Sequence, residues 1–513
     1  MGASRVGNSI RNSMAGMFYY SLNLCLNFIS RKVFLDYLGA EVLGLNTTAI
    51  NLLQFLNLAE LGIGFAVAFS LYEPIAKDDK NAINEIIALQ GGLYKRIAFF
   101  IIAGAFILSF FFPLIFEKTP LPLWYAYASF GVLLFSSLLT YFVNYKQILL
   151  TASQQAYKIT FSYKMVMLAK VVVQIFLIKY LENGYVWWLI TEGFFAIIGS
   201  AALSWIVRKT FPYIENVKQP FKELNKKYPV IGQKVKQLFC HKIADFAVTQ
   251  TSPLIIYAFL SLTVVTYYGN YLMIISGAVL LMTEVFNGLS ASVGNLIAEG
   301  NKQRIVSVFY ELFCLRFLLT AAACIAAYFL SEPFISVWIG SQYILENETL
   351  ALLVIYMYFR LSRGVVDSFI NGYGLFKDIW APFAEAIINL GGSVVGGYFW
   401  GLNGIIAGTI LSQVTILFIW KPYFLFKEGL RYPIGGYIKL YAKCVVCGII
   451  GLLFLLYFKE EIVFFAQQSF FYCLLAAAIL FVVEILFIGT FLYLISNSNR
   501  ELTKRLINLV IRR

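Results

Sequence analysis

The sequence lacks most of the residues and motifs on which soluble enzymes depend. Its 513 residues contain one histidine, His241, which argues against a multi-histidine metal site and against a histidine-dependent membrane acyltransferase. No GxxxxGK[ST] motif occurs, so the sequence carries no P-loop for ATP. The seven cysteines fall mostly in apolar stretches, where a disulfide framework is not expected, and we interpret the Cys444/Cys447 pair as helix packing. We therefore expect no cofactor, no bound metal and no enzymatic activity.

Charged residues are also scarce. They make up 13% of the chain, against roughly a quarter in soluble globular proteins, while hydrophobic residues reach 60%. A chain this apolar needs lipid as its solvent, and in lipid only helices or closed barrels satisfy the backbone. The apolar stretches are continuous over roughly 20 residues, as transmembrane helices require. The sequence therefore predicts an all-α polytopic membrane protein with about fourteen transmembrane helices.

The predicted spans follow one another with short loops between them. We place them at about 14–36, 44–72, 97–116, 122–143, 161–181, 186–207, 243–262, 267–297, 306–330, 350–370, 381–400, 403–420, 440–458 and 470–495. The longest loop, 208–242, is rich in lysine and separates six predicted helices from eight. Such a basic segment is typical of an amphipathic stretch on the inner leaflet.

The distribution of lysine and arginine predicts the orientation. If both termini are cytoplasmic, most of the 40 basic residues lie in inner segments, and the outer loops hold Arg31, Lys32, Lys118, Lys179 and Lys459. The net charge of +13 is then mainly this bias, with attraction to anionic lipid, and we do not expect nucleic-acid binding. We expect a bacterial inner-membrane protein.

Polar residues recur at helical spacing within several spans. Arg31 shares one face of the first span with Asn23 and Asn27, and Asn51 and Gln54 share a face of the second. Because polar groups facing lipid are costly, such faces either meet one another as helix contacts or line a wet cavity, and these alternatives stay open. The glycine pairs Gly392/Gly396 and Gly404/Gly408 are more typical of helix contacts.

Four cations fall near the middle of predicted spans: Lys170, Arg316, Arg360 and Arg363. An arginine at the bilayer centre costs roughly 2.5–3.5 kcal/mol on the insertion scale. Asp367, four residues after Arg363, neutralises one of these charges. The remaining positive charge predicts an anionic substrate, because charge-assisted hydrogen bonds of about 1.5–3 kcal/mol each would offset the cost.

Four carboxylates lie near or inside spans and are candidates for ion coupling. They are Glu60, Asp245, Glu284 and Glu385. Burial raises a carboxylate's affinity for a proton. Structural ion pairs are the alternative for each of them.

Two stretches resemble bacterial polysaccharide repeat-unit flippases of the multidrug/oligosaccharidyl-lipid/polysaccharide flippase superfamily. The first, 31–98, contains Arg31 before LG, then GL, ELGIG, SLYEP and YKRI. The second, 374–412, contains FK, EAIINL, GLNG and GT. The resemblance implies two six-helix bundles around a central cavity, at 1–207 and 243–438, joined by the linker 208–242 and followed by two extra helices and a basic tail at 439–513. Arg31 is the position that the resemblance carries over.

The resemblance also implies a function. It is the transfer of a polyprenyl-diphosphate-linked oligosaccharide repeat unit across the inner membrane, for O-antigen, capsule or exopolysaccharide. The expected partners are the lipid-linked oligosaccharide, the bilayer and the polysaccharide polymerase machinery. One alternative is an ion-coupled small-molecule or drug exporter of the same fold, whose cavity should be acidic. Another is a membrane enzyme of glycan assembly, against which the scarcity of histidine and the small outer loops argue.

Overall fold

The structure is a computed structural model that describes residues 2–60, 63–215, 217, 219–229, 231–232, 250–375, 377–378, 380–495 and 500. Asp245 and His241 lie outside the described residues. Within the described part every regular element is helical. The prediction of an all-α polytopic membrane protein is confirmed.

The helices follow one another through the described residues in the order α1 to α15. Up to the linker they are α1 Gly2–Leu56, α2 Ile63–Ala76, α3 Lys80–Phe110, α4 Trp124–Phe142, α5 Tyr157–Tyr180 and α6 Gly184–Thr210. They continue as α7 Phe221–Lys227, α8 Ser252–Phe259, α9 Leu262–Ala298, α10 Lys302–Ile339, α11 Asn347–Gly372, α12 Trp380–Leu430, α13 Gly435–Leu456, α14 Lys459–Gln467 and α15 Phe470–Ile495. Shorter turns include Asn57–Glu60, Phe112–Ile115, Asn144–Gln147, Ile148–Ala152 and Ser341–Tyr343.

Ten helices in the described residues are long and apolar enough to cross a membrane. The difference from the fourteen predicted spans has identifiable reasons. Helix α12 extends over 51 residues and counts once among the ten, but it holds two predicted spans, separated by a kink of non-helical backbone at Trp400 and Gly401. Helix α1, which carries the first predicted polar stripe, is not among the ten, and the seventh predicted span falls largely outside the described residues.

A glycine divides α1 into two arms. Gly39 has φ 84° and ψ 169°, a conformation that side chains rarely adopt. The carbonyl of Ala40, next to this bend, accepts a hydrogen bond of 2.8 Å from the Thr266 hydroxyl, and Glu41 accepts one from Thr263. The bend is therefore fixed by the first turns of α9, and it separates the first predicted span, 14–36, from the part of the second that lies in α1.

The chain forms two compact units, Met1–Thr266 and Tyr267–Arg513. In the first unit, Phe34 and Val42 of α1 pack with Ile178, Tyr185 and Trp188 in a buried cluster. In the second, Phe309 of α10 packs edge-on against Phe369 and Phe426. The finer division into 1–207, 208–242, 243–438 and 439–513 stays a prediction.

The two arms of α12 pack on each other through glycine. A Cβ added to Gly396 would overlap the carbonyl oxygen of Gly404, and one added to Gly392 would lie 3.1 Å from the Cα of Gly408. The prediction that these glycines are helix contacts is confirmed. Next to them, Ser393 donates a hydrogen bond of 3.0 Å to the carbonyl of Ile405.

Candidate functional site

The polar residues of α1 divide into two groups. Asn51 is buried and donates a hydrogen bond of 2.8 Å to the carbonyl of Thr47, one turn earlier in its own helix. Asn27 is exposed and Asn23 is half-buried. The side-chain oxygen of Gln54 is buried and accepts no hydrogen bond among the described residues. The second arm of α1 therefore holds one buried acceptor without a hydrogen-bond partner among the described residues.

Arg31 lies on the polar face of α1 and also contacts the backbone of α9. Its guanidinium donates a hydrogen bond of 3.2 Å to the carbonyl of Thr266. Since Thr266 also binds Ala40, Arg31 belongs to the contacts that hold the α1 bend against α9. The contact gives Arg31 a positioning role, and its predicted role in substrate binding stays a prediction.

Lys170 of α5 forms a buried ion pair. Its ammonium lies 2.6 Å and 2.8 Å from the two carboxylate oxygens of Glu192 on α6, and Gln174 donates a further hydrogen bond of 3.1 Å to the same carboxylate. The side chains of Lys170 and Glu192 are only 15% and 11% exposed. The pair is electrically neutral, so its geometry favours a structural role for Lys170.

Glu60 lies in a cluster of hydroxyl groups just after α1 ends. Its two carboxylate oxygens accept hydrogen bonds of 2.9 Å, one from Tyr94 of α3 and the other from Tyr141 of α4. Tyr141 also lies 3.1 Å from the amide oxygen of Asn57. No lysine or arginine among the described residues forms an ion pair with Glu60. Both oxygens of this carboxylate therefore have a neutral hydroxyl as a partner.

Arg316 in the second unit is enclosed by backbone. It is 4% exposed, and its guanidinium donates hydrogen bonds to the carbonyl of Leu361 at 2.5 Å and to that of Met282 at 3.3 Å. It stacks on Phe286 at 4.4 Å, and Gly364 leaves room for it, because a Cβ there would lie 2.8 Å from the guanidinium. Arg316 therefore binds carbonyl oxygens close to the point where the regular helix of α11 is interrupted.

The polar face of α11 carries the strongest cluster of charge. Arg363 donates a hydrogen bond of 2.7 Å to Asp367, and Lys421 of α12 lies 3.8 Å from the other oxygen of that carboxylate. Arg360 donates a hydrogen bond of 3.1 Å to the hydroxyl of Tyr356 and has no carboxylate partner among the described residues. Asp367 thus contacts two cations, Arg363 and Lys421, and Arg360 adds a further positive charge on α11 that has no carboxylate partner among the described residues.

For the other carboxylates predicted to take part in ion coupling, the structure shows fewer contacts. Glu385 of α12 is 9% exposed. Glu284 lies within α9, and its side chain is outside the described part of the structure. Their predicted roles in ion coupling, and that of Asp245, stay predictions.

Comparison with solved structures finds the same fold in proteins of low sequence identity. One is titled lipid II flippase MurJ, inward closed conformation, with a TM-score of 0.66 and 14% identity, covering 94% of this chain and 99% of that one. Another is an inward-facing multidrug resistance MATE family transporter of the MOP superfamily. Its TM-score is 0.59 at 12% identity, and the match covers 80% of this chain and 95% of that one. A third is a mutant of the Vibrio cholerae MATE transporter VcmN. Its TM-score is 0.52 at 13% identity, and the match covers 83% of this chain and 98% of that one.

The chain has the fold of a flippase and of MATE transporters. No protein-family model matches the sequence, and no curated protein matches it. At these identities the likeness establishes the fold alone.

Sequence reasoning missed three residues that the structure places in these clusters. The predicted spans leave Lys421 in the loop after the twelfth span, yet it contacts Asp367. Tyr94 and Tyr141 hold Glu60 from two other helices. For Lys421 no signal was available, because a lysine at the end of a span ordinarily reaches the membrane interface and needs no carboxylate partner. For the tyrosines no signal was available, because the chain contains 33 tyrosines.

Proposed function

We propose that this protein is a flippase that moves a polyprenyl-diphosphate-linked oligosaccharide repeat unit across the bacterial inner membrane for surface polysaccharide biosynthesis. The fold shared with a lipid II flippase supports transport of a lipid-linked substrate. The resemblance of 31–98 and 374–412 to repeat-unit flippases supports the saccharide class. The proposed partners are the lipid-linked oligosaccharide, the bilayer and the polymerase machinery.

The observation that carries the proposal is the positive charge of Arg360 on α11, which has no carboxylate partner among the described residues. The nearby carboxylate of Asp367 already contacts Arg363 and, from α12, Lys421. A diphosphate supplies the missing negative charge, and a guanidinium binds phosphate oxygens in a two-pronged geometry that lysine does not reproduce. Of Arg360 and Arg363, Arg360 is the one whose guanidinium has only a neutral hydroxyl for a partner in the described residues.

The proposal is tested by exchanging Arg360 in a strain whose chromosomal copy of the gene is deleted. Deletion should abolish surface glycan and leave lipid-linked repeat units on the inner leaflet. Loss of one charge-assisted bond of about 1.5–3 kcal/mol predicts that Arg360→Gln reduces export by roughly tenfold or more, and that Arg360→Lys restores part of it. Membrane levels of each variant are measured by immunoblot.

Arg304→Gln is the matched control. Arg304 is an exposed arginine that pairs with Glu299 at the start of α10. The Arg304→Gln variant should export glycan at the wild-type level. Normal glycan from Arg360→Gln at wild-type protein levels would remove α11 from the substrate path, and normal glycan in the deletion strain would remove the proposed function.

An ion-coupled exporter of small cationic compounds is the second candidate, and one observation favours it. Glu60 is a half-buried carboxylate held by neutral hydroxyls, which suits a cation, and MATE transporters share the fold. The two candidates differ in the charge of the cargo. An exporter predicts that the deletion strain becomes sensitive to cationic dyes while its surface glycan is unchanged.

The proposed orientation places both termini in the cytoplasm. Residue 225, within α7, should then be inside and residue 340 outside. Reporter fusions at these positions test the orientation, and an external signal from residue 225 would reverse it. We also propose that 1–207 and 243–438 are the two six-helix bundles, joined by the linker 208–242. The segment 439–513 then supplies the two extra helices and the basic tail.

A further inference from the structure

The first unit contains a basic cavity at the ends of α4 and α6, far along the chain from every residue proposed above to bind substrate. It has a volume of about 300 Å³. Its lining includes Asn144, Tyr145 and Lys146 from the turn after α4, with Ser204 and Arg208 from the last turns of α6. The proposed orientation places both helix ends at the cytoplasmic surface of the membrane.

The two cations of this cavity have no acidic partner among the described residues. Neither Lys146 nor Arg208 forms an ion pair there. Burial, together with the positive charge of Arg208, lowers the pKa of Lys146. The two like charges are therefore held close to each other at a cost in free energy, and a bound anion would relieve it.

A buried hydrogen bond fixes the wall of the cavity. Asn144 is 3% exposed, and its amide nitrogen donates a hydrogen bond of 3.0 Å to the hydroxyl of Ser200. Its side-chain oxygen is buried and accepts no hydrogen bond among the described residues. The hydrogen bond between Asn144 and Ser200 therefore joins the turn that carries Lys146 to α6, which carries Arg208.

The rim of the cavity is apolar and open. Phe142 and Val143, which line it, are 39% and 37% exposed, and Trp205, one turn from Arg208, is 61% exposed. Exposed aromatic residues beside cations at the end of a transmembrane helix mark the membrane interface. A ligand in this cavity would therefore contact hydrocarbon and headgroups together.

We propose that this cavity binds the headgroup of an anionic glycerophospholipid of the inner leaflet. The phosphate lies between Lys146 and Arg208, and the acyl chains follow Phe142 and Val143. Basic pockets between transmembrane helices on the cytoplasmic side bind anionic headgroups in this way. A zwitterionic headgroup is disfavoured, because its ammonium would lie against two cations.

The test measures lipid binding to the purified full-length protein by native mass spectrometry. Wild-type protein, a Lys146→Gln/Arg208→Gln double variant and a Lys209→Gln control are each titrated with phosphatidylglycerol or phosphatidylethanolamine. Lys209 is the neighbour of Arg208, but it lies over the ring of Trp205 at 5.0 Å and does not line the cavity. Each cation near a lipid surface is worth about a factor of five in binding, so the double variant should lose roughly 30-fold in affinity for phosphatidylglycerol.

The expected result is a preference of the wild type and of Lys209→Gln for phosphatidylglycerol, lost in the double variant. An equal loss in Lys209→Gln would show diffuse surface attraction and overturn the proposal. Equal binding of both lipids by the wild type would overturn it even if the double variant does not fold. Displacement of the lipid by millimolar inorganic phosphate would assign the cavity to a free phosphate instead. None of these outcomes depends on transport, so failure here is distinguishable from failure of the proposed function.

Discussion

The ion pair between Lys170 and Glu192 gives the sharpest prediction about stability. Its short contacts and low exposure mean that neither charge can be left alone without a large penalty. Removing one partner of a buried pair typically costs about 3–5 kcal/mol, whereas replacing both by apolar residues is nearly neutral. We therefore expect Lys170→Met and Glu192→Leu to be strongly destabilising, and the double variant to be close to the wild type.

The assay is thermal unfolding of purified protein in detergent, followed by size-exclusion chromatography with fluorescence detection. For a unit of this size about 3–5 kcal/mol corresponds to a fall of roughly 6–10 °C in the midpoint for each single variant. Lys179→Met is the matched control, because Lys179 is exposed in the last turn of α5 and lies over the ring of Tyr180. It should leave the midpoint unchanged within about 2 °C.

The same variants separate a structural role from a role in binding substrate. If Lys170 is structural, the double variant should export glycan at the wild-type rate, since the pair is neutral and its loss leaves no charge behind. A double variant that is stable but inactive would refute the structural interpretation and return Lys170 to the substrate path. Single variants of unchanged stability would refute the energetic argument itself.

Three further predictions concern other contacts. Gly396→Ala should destabilise the protein by about 2 kcal/mol, because a Cβ would meet the backbone of α12's other arm, while Gly391→Ala, with open space around it, should not; unfolding midpoints compare them. Tyr94→Phe removes one donor to Glu60 and should cost about 1.5–3 kcal/mol in the same assay. Glu85→Gln breaks its contacts of 2.8 Å and 2.7 Å with Lys227, so trypsin should cleave near α7 faster than in the wild type. An unchanged cleavage rate would mean that this pair does not hold α7.

Much of the fold could be predicted because lipid imposes simple rules. Every spanning segment must be a helix of sufficient length, and continuous apolar runs reveal such segments directly. The contacts of the α12 glycine pairs could also be predicted, because small residues four apart in a transmembrane helix are typical of close helix packing. The bend at Gly39 was not predicted, because a glycine inside an apolar run is also compatible with a straight helix.

The candidate site was harder to predict because its contacts join distant parts of the chain. Glu192 lies 22 residues after Lys170, on the following helix. Because both residues fall inside predicted spans, where an unpaired charge is costly, the sequence did contain a signal that they could pair. The contacts of Arg316 with the carbonyls of Leu361 and Met282 left no signal at all, because backbone acceptors have no sequence signature. Arg360 and Arg363 were found because both lie on one helix, where spacing alone determines the face.

The central claim, that the cargo is an anionic lipid-linked saccharide, is tested most directly by reconstitution. Purified protein in liposomes is given a fluorescent polyprenyl-diphosphate oligosaccharide, and a membrane-impermeant quencher reports how much of it reaches the other leaflet. We expect transfer by the wild type, transfer reduced roughly tenfold or more by Arg360→Gln, and no reduction by Arg304→Gln. Absence of transfer by wild-type protein that exports a cationic dye from the same liposomes would contradict the account.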